Sequence, residues 1–340
     1  YTLMAQASAG LYSPPSETDT VIVNDQIFHA WLDDGWKDSG TFGGGIQLVR
    51  DGETPASSSS YIELTKDDMV RHQFKNIKIA GAYSGNKYHM YVTYYDSYTK
   101  CLKYGKFLFK NGWDQNRSVE TSYRADAAGS YVIDGYDAAD NSSISWDVGE
   151  YSAIKIDNSG TEPIPVVAYY DKQNKKLKIA RGSSSAPVSK RYGGTIGTGA
   201  DETPWTYTSV TSPAGSSDFG RYVSMEMDNS GNLHIAAQDV TNGKLYYGMF
   251  TKSGNSYEIS DSWVAVDSTS SVGRWNDIKL ENYAGNSMAT CKPVITYQDA
   301  SRLNTTSALK IAYVDANGSW EAMTSPSVYE AQDAKLSTIV

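Results

Sequence analysis

One segment returns several times along this chain, and it restricts the fold more than any other feature. Residues 219–250 read FGRYVSMEMDNSGNLHIAAQDVTNGKLYYGMF, and 148–180 read VGEYSAIKIDNSGTEPIPVVAYYDKQNKKLKIA. The copy at 272–313 is VGRWNDIKLENYAGNSMATCKPVITYQDASRLNTTSALKIAY, and a looser one at 73–105 is QFKNIKIAGAYSGNKYHMYVTYYDSYTKCLKYG. In each, an aromatic residue opens a short alternating stretch: Tyr151–Asp157, Tyr222–Asp228, Trp275–Glu281. Ile278 and Leu280 alternate with Lys279 and Glu281, the period-2 pattern of a half-buried strand. A glycine-containing turn follows, as in Asn229-Ser230-Gly231-Asn232, and a second, more apolar strand ends on Asp96, Asp171, Asp239 or Asp299. A third strand lies around Leu102, Leu177, Leu245 or Leu309, and a fourth carries Trp113, Trp205, Trp263 or Trp320.

Four consecutive antiparallel strands, repeating every 60–75 residues or so, describe the blade of a β-propeller. The expected fold is therefore all-β, a single propeller domain over 1–340 with four-stranded blades at about 19–65, 72–120, 148–210, 219–268 and 272–326. The first of these is divergent, built from DTVIVND (19–25), IFHAWLDD (27–34), GGIQLVRDG (44–52) and SYIELT (60–65). Both chain ends read as strands as well. TLMAQASAGLY (2–12) matches a second and third strand, and AQDAKLSTIV (331–340) matches a first. A sixth blade made of 1–18 with 327–340 would close the ring and leave no open sheet edge. Five blades, or seven to eight with strands from another chain, are the alternatives.

The repeat resembles the broad superfamily of six-bladed propellers that includes sialidase-like and lectin-like members. The resemblance is one of architecture and spans most of the chain. The Ser-x-Asp-x-Gly-x-x-Trp box of the sialidase type has only a distant counterpart in VDANGSW (314–320), with the glycine displaced and the serine missing. There is no repeated Trp-Asp dipeptide and no kelch double glycine. The resemblance accordingly transfers no catalytic residue.

Composition narrows the partners. A net charge of −9 and a pI near 5.0 argue against a nucleic-acid or anionic-membrane surface. No apolar run approaches the roughly 18–20 residues of a membrane span. Cys101 and Cys291 fall in different repeats, imply no disulfide framework and read as buried small side chains. Sparse cysteine with abundant Ser, Thr, Asn and Tyr suits an extracellular, cell-surface or periplasmic protein. The sequons at Asn116, Asn141, Asn304 and Asn317 matter only in a glycosylating source.

Propeller geometry then selects a face. The start of the innermost strand and the hairpin between strands two and three lie on the same side of a blade. That side collects Glu150, Tyr151, Arg221, Tyr222, Arg274 and Trp275, together with the turns after Asp96, Asp171, Asp239 and Asp299. It also receives 33–45, with Trp36, the loop 299–308, and the insertion 114–147, which holds seven acids against two arginines. Long loops gathered on one face of a repeat ring are where binding resides. An arginine beside an aromatic ring suits a carboxylate or a sugar, by paired hydrogen bonds and by stacking.

Each of these residues also has a purely structural reading. The aspartates can start hairpin turns by accepting backbone amides. Arg221 and Arg274, at equivalent positions, can bridge blades, and the aromatics can pack between them. Asp134, Asp137 and Asp140 are a candidate Ca²⁺ set but lack the spacing of a calcium loop, so the expectation is a solvated acidic loop and no cofactor. His29, His72, His89 and His234 show no metal-ligand spacing, and no Ser/His/Asp set can be assembled. A carboxylate pair drawn from separate blades is invisible in sequence. The reading is therefore a binding or scaffold module for a glycan or partner protein, more non-enzyme than enzyme. A glycoside hydrolase or lyase is the first alternative. A processed subunit of a larger assembly is the second, since the chain starts at Tyr1 and ends in a strand-like run.

Overall fold

The computed structural model describes residues 18–33, 45–50, 61–63, 74–97, 100–110, 131–135, 146–182, 190–191, 205–269, 271–281, 292–300, 308–314 and 318–324. Among them there is no helix, and the protein is an all-β chain of the propeller class, built from antiparallel four-stranded sheets. The stretches 1–17 and 327–340, read as a closing sixth blade, lie outside the described residues. No helix among the described residues is long and apolar enough to cross a membrane.

The chain divides into two compact units. The first begins with a sheet of β1 (Thr18–Val23), β2 (Gln26–Asp33), β3 (Gly45–Arg50) and β4 (Tyr61–Glu63), in that order. Its second sheet runs β5 (Phe74–Ser84), β6 (Lys87–Asp96), β7 (Cys101–Lys110) and β8 (Tyr131–Asp134). The fourth strand of this blade thus comes from inside the acidic stretch 114–147. The two sheets share a core that includes Phe28, Leu48, Ile79, Met90 and Phe107. Phe28 and Tyr88 lie 5.3 Å apart between centroids. Cys101 is buried, as its sequence context suggests.

The second unit opens with β9 (Val148–Asp157), β10 (Ile164–Asp171) and β11 (Lys176–Arg181). The chain then lends the two-residue β12 (Lys190–Arg191) to β8 of the first unit and returns as β13 (Thr206–Ser209) on the outer edge of β11. The next sheet holds β14 (Phe219–Met227), β15 (Leu233–Asp239), β16 (Lys244–Ser253), β17 (Ser256–Ile259) and β18 (Val264–Asp267). Here the fourth strand is split, since β17 and β18 both pair with β16. The last sheet is β19 (Val272–Glu281), β20 (Lys292–Asp299), β21 (Ala308–Val314) and β22 (Trp320–Thr324).

The sequence pattern follows from position in these sheets. β10 and β15 are buried along their whole length, because each is a central strand in a sheet that packs against a neighbouring sheet. That explains their near-continuous apolar runs, IPVVAYYD and LHIAAQD. The edge strand β13 alternates half-buried and exposed residues. One core joins the first two sheets of this unit through Leu177, Phe219, Ile235 and Phe250, and another joins the last two through Leu245, Ile278 and Ile295. Trp263 stands just before β18 with its ring 4.6 Å from Phe219, and its Nε1 donates to the Thr211 carbonyl at 2.8 Å.

Two of the aspartates that end the second strands, Asp171 and Asp239, organise hairpins. Asp171 accepts the amide of Asn174 at 2.9 Å and its side-chain amide at 2.8 Å. Asp239 does the same with Asn242, at 3.3 and 2.7 Å. The bonds reach three residues along, one farther than a simple Asx-turn. Asp96 differs, and forms a buried ion pair with Lys103 at 2.5 Å.

Candidate functional site

Every inner strand of the second unit starts with the same irregularity. Gly149, Gly220 and Gly273 have φ of 94°, 115° and 86°, and the pairing register slips across each of them. These are β-bulges, which turn a strand and re-aim its side chains. Glycine is required for space as well as for φ. A Cβ on Gly220 would stand 3.0 Å from the backbone of Leu177, and one on Gly273 would stand 3.1 Å from Leu245. Leu177 and Leu245 are among the leucines that mark the third strands. At Gly220 and Gly273 the recurrence of Gly and Leu in the sequence is therefore a contact between the bulge and the sheet before it.

Two residues past the glycine, the chain turns left-handed again. Tyr222 has φ 51° and Trp275 has φ 50°. For bulky L-residues this costs about 1–2 kcal/mol each. The turn brings three rings from three strands together. Tyr151 and Tyr222 lie 4.5 Å apart between centroids, Tyr222 and Trp275 lie 4.9 Å apart, and Tyr151 and Trp275 lie 6.5 Å apart. All are tilted or edge-on, the favoured geometry of aromatic pairs. Tyr151 and Tyr222 are half-buried, while Trp275 is 38% exposed, one of the few large apolar side chains open to solvent among the described residues. Burial, then the neighbouring Tyr222, pushes the Tyr151 hydroxyl far above the ordinary phenol range, so it stays protonated.

A charged rim flanks the rings. Arg221 lies over the Tyr170 ring at 5.4 Å and reaches Asp218 at 3.4 Å, and Tyr170 donates its hydroxyl to the other oxygen of Asp218 at 2.7 Å. Burial first, and the Asp218 charge after it, push Tyr170 up to about 12. Glu150 pairs with Lys172 at 3.1 Å, and the same ammonium reaches Asp147 at 3.3 Å. Burial alone would lower Lys172, but these two carboxylates overcome it and raise its pKa. Arg274 is half-buried next to Trp275. The structure thus gathers Tyr151, Tyr222 and Trp275 in direct contact and sets Arg221 and Glu150 in ion pairs of their own. Trp36, Asp137 and Asp140 lie outside the described residues. Asp134 ends β8 and accepts the Gly135 amide at 2.8 Å. No group of three or more His, Cys, Asp or Glu is placed to hold a metal ion among the described residues.

Sequence reasoning missed the residues that hold this arrangement. Asn276 is buried and its side chain spans two bulges. Its Nδ2 donates to the carbonyls of Tyr222 at 2.5 Å and Gly273 at 2.9 Å, and its Oδ1 accepts the Ser224 hydroxyl at 2.5 Å. The equivalent residues of the earlier repeats are Ser152 and Val223, so no repeated letter marks it. A second layer was also missed. Glu226 accepts Lys155 at 2.7 Å and Lys279 at 3.1 Å, three equivalent positions four residues beyond the rings. The alternation of charge at one repeat position, Lys–Glu–Lys, was the available signal.

No protein-family profile and no curated protein matches the chain. Among solved structures it is similar to the GH43 endo-arabinanase from Bacillus licheniformis, at 13% identity and a TM-score of 0.41 over 88% of this chain and 94% of that one. The α-L-arabinanase of Cellvibrio cellulosa gives 12% identity and a TM-score of 0.41, over 90% of this chain and 94% of that one. A Hadza microbial sialidase gives 13% and 0.42, over 82% of this chain and 53% of that one. All three are enzymes by name, and the expectation of a protein more binder than enzyme is overturned by that finding.

Proposed function

We propose that the protein is a carbohydrate-active enzyme of the β-propeller class that holds a saccharide on the surface made by Tyr151, Tyr222 and Trp275. One observation carries the reading. Three aromatic rings from equivalent positions meet at one site, two of them in a backbone conformation that bulky residues avoid. Strain of this kind persists where function, rather than folding, selects the side chain. Rings partly open to water suit the apolar faces of sugars, with a few polar groups to fix orientation. Arg221 and Arg274 supply donors for a hydroxyl or a carboxylate of the glycan.

Glycoside cleavage in most families uses two carboxyl groups, one as acid and one as nucleophile or base. Glu150, next to Tyr151, and Asp218, paired with Arg221, are the carboxylates of the rim and the first to test for those roles. Such an activity belongs where polysaccharide is met, outside the cell, at its surface or in the periplasm. The experiment is a panel of neutral and uronate-containing polysaccharides, scored for new reducing ends and for retardation in affinity electrophoresis. Cleavage of one polymer, lost in Trp275→Ala, is the expected result. Retardation without cleavage contradicts the enzymatic part, and neither signal on any polymer contradicts the whole reading.

A further inference from the structure

We propose that Asn276 is a positioning residue that sets the spacing and tilt of Tyr222 and Trp275. Its consequence for ligand binding rests on the glycan reading above, but its effect on the rings does not. The argument begins with connectivity. Tyr222 stands on β14 and Trp275 on β19, strands of different sheets with no ladder of backbone hydrogen bonds between them. Besides the contact of the rings themselves, one side chain hydrogen-bonds to both bulges. The Asn276 amide group bonds at once to the carbonyl of Tyr222 and to that of Gly273, two residues before Trp275.

The orientation of this amide is fixed by its partners. Two carbonyls can face only the NH₂ end, and the Ser224 hydroxyl then donates to the oxygen. With three polar partners and 8% exposure, Asn276 has little freedom to turn. The carbonyl it grips belongs to the strained Tyr222 itself, so the bond acts directly on the residue whose φ is left-handed. Trp275 is the preceding residue in the chain, so the same anchor holds the strained peptide on the other strand. Neither Ser152 nor Val223 carries an amide to do this, which confines the device to the β14–β19 junction. A small polar residue buried in three directional bonds defines a geometry more than it adds packing.

The test separates geometry from stability. Asn276→Asp keeps the size and the oxygen facing Ser224 but replaces the amide donors with a second oxygen against two carbonyls. Ser224→Ala is the milder variant and removes only one of the three bonds. In each background, subtracting the spectrum of the matching Trp275→Phe protein isolates Trp275 emission and its quenching by acrylamide, without any ligand. The expected result is a red shift and easier quenching of Trp275 in Asn276→Asp, with a smaller change of the same sign in Ser224→Ala. A folded Asn276→Asp protein with unchanged Trp275 emission and quenching overturns the proposal. If that variant does not fold, an unchanged Trp275 signal in Ser224→Ala overturns it. For a polysaccharide that the wild type retards, Asn276→Asp should weaken binding about tenfold, the loss of one well-made polar contact. A wild type that binds no polysaccharide defeats the glycan reading alone, and the fluorescence result stands by itself.

Discussion

The start of β5 and the starts of β14 and β19 solve the same geometric problem with different residues. In all three the register slips after the second pair, between Lys75 and Lys78, Arg221 and Ser224, and Arg274 and Asp277. In all three the bulged residue is left-handed, with φ of 54° at Asn76, 51° at Tyr222 and 50° at Trp275. Asparagine tolerates that region because its short amide can bond locally. Tyrosine and tryptophan do not. The β5 blade shows that this turn can be made at little cost, so the rings of the other two are retained at the expense of backbone strain. The difference teaches that folding alone does not select Tyr222 and Trp275.

The comparison can be broken most severely through the glycines. Gly220→Val places a side chain 3.0 Å from the Leu177 backbone at a φ of 115°. A loss of about 3 kcal/mol or more is expected in urea unfolding of the second unit. The turn of β5 has no glycine at its bulge, so this substitution has no counterpart there. A Gly220→Val protein as stable as wild type would mean that the bulge relaxes freely, and the strain argument would fail with it.

Acid should act next, through two buried carboxylates. Asp157 ends β9 and accepts Arg181 at 2.8 Å and Lys252 at 2.7 Å. Burial opposes its charge, but Lys252, Ser159 and Arg181 hold it well below the usual carboxylate range. Asp267, bonded to Lys310, Thr269 and Tyr297, is lowered from 3.8 to about 2 in spite of burial. A depressed folded pKa stabilises above the unfolded value, and the contribution disappears as pH falls through the folded one. These two carboxylates should therefore cost on the order of 1–2 kcal/mol each as pH drops from about 4 toward 2. His234, lowered by burial and bonded to Tyr247 at 2.7 Å, acts earlier. Below about 6.5 the unfolded chain takes up its proton more readily than the folded one, so stability already declines there. Thermal midpoints between pH 7 and 2.5 would show both phases, and a flat profile would remove these ion pairs from the account.

How far the sequence reaches is clear at these strand starts. Alternation and recurring turns made the sheets legible, and repeat geometry put Glu150, Tyr151, Arg221, Tyr222, Arg274 and Trp275 on one side of their blades. The contact of the rings was not legible, because it depends on backbone turns at Gly149, Gly220 and Gly273 whose φ no periodicity reports. Asn276 was hidden for the opposite reason. It departs from the repeat, and a pattern search discards what does not recur. The aspartates were legible as turn residues at Asp171 and Asp239, whereas the Asp96–Lys103 pair needs the fold to bring its members together.

A smaller effect sharpens the comparison from the other side. Asn76→Tyr copies the β14 arrangement into β5. It should destabilise by about 1 kcal/mol, the cost of a bulky residue at that φ. Chemical denaturation followed through the first unit would measure it, and no loss at all would show that the turn is indifferent to its residue.

The central claim is that Trp275 is kept for a ligand and not for the fold, and Trp275→Asn tests it most directly. Asparagine relieves the left-handed strain, and the ring it replaces is already 38% exposed. Unfolding free energy and polysaccharide retention should be measured on the same preparation. The account predicts a stability unchanged or raised by up to about 1 kcal/mol, with retention lost. A variant destabilised by about 2 kcal/mol or more that still binds as the wild type does would contradict it, and would make the ring a packing element of the β14–β19 junction.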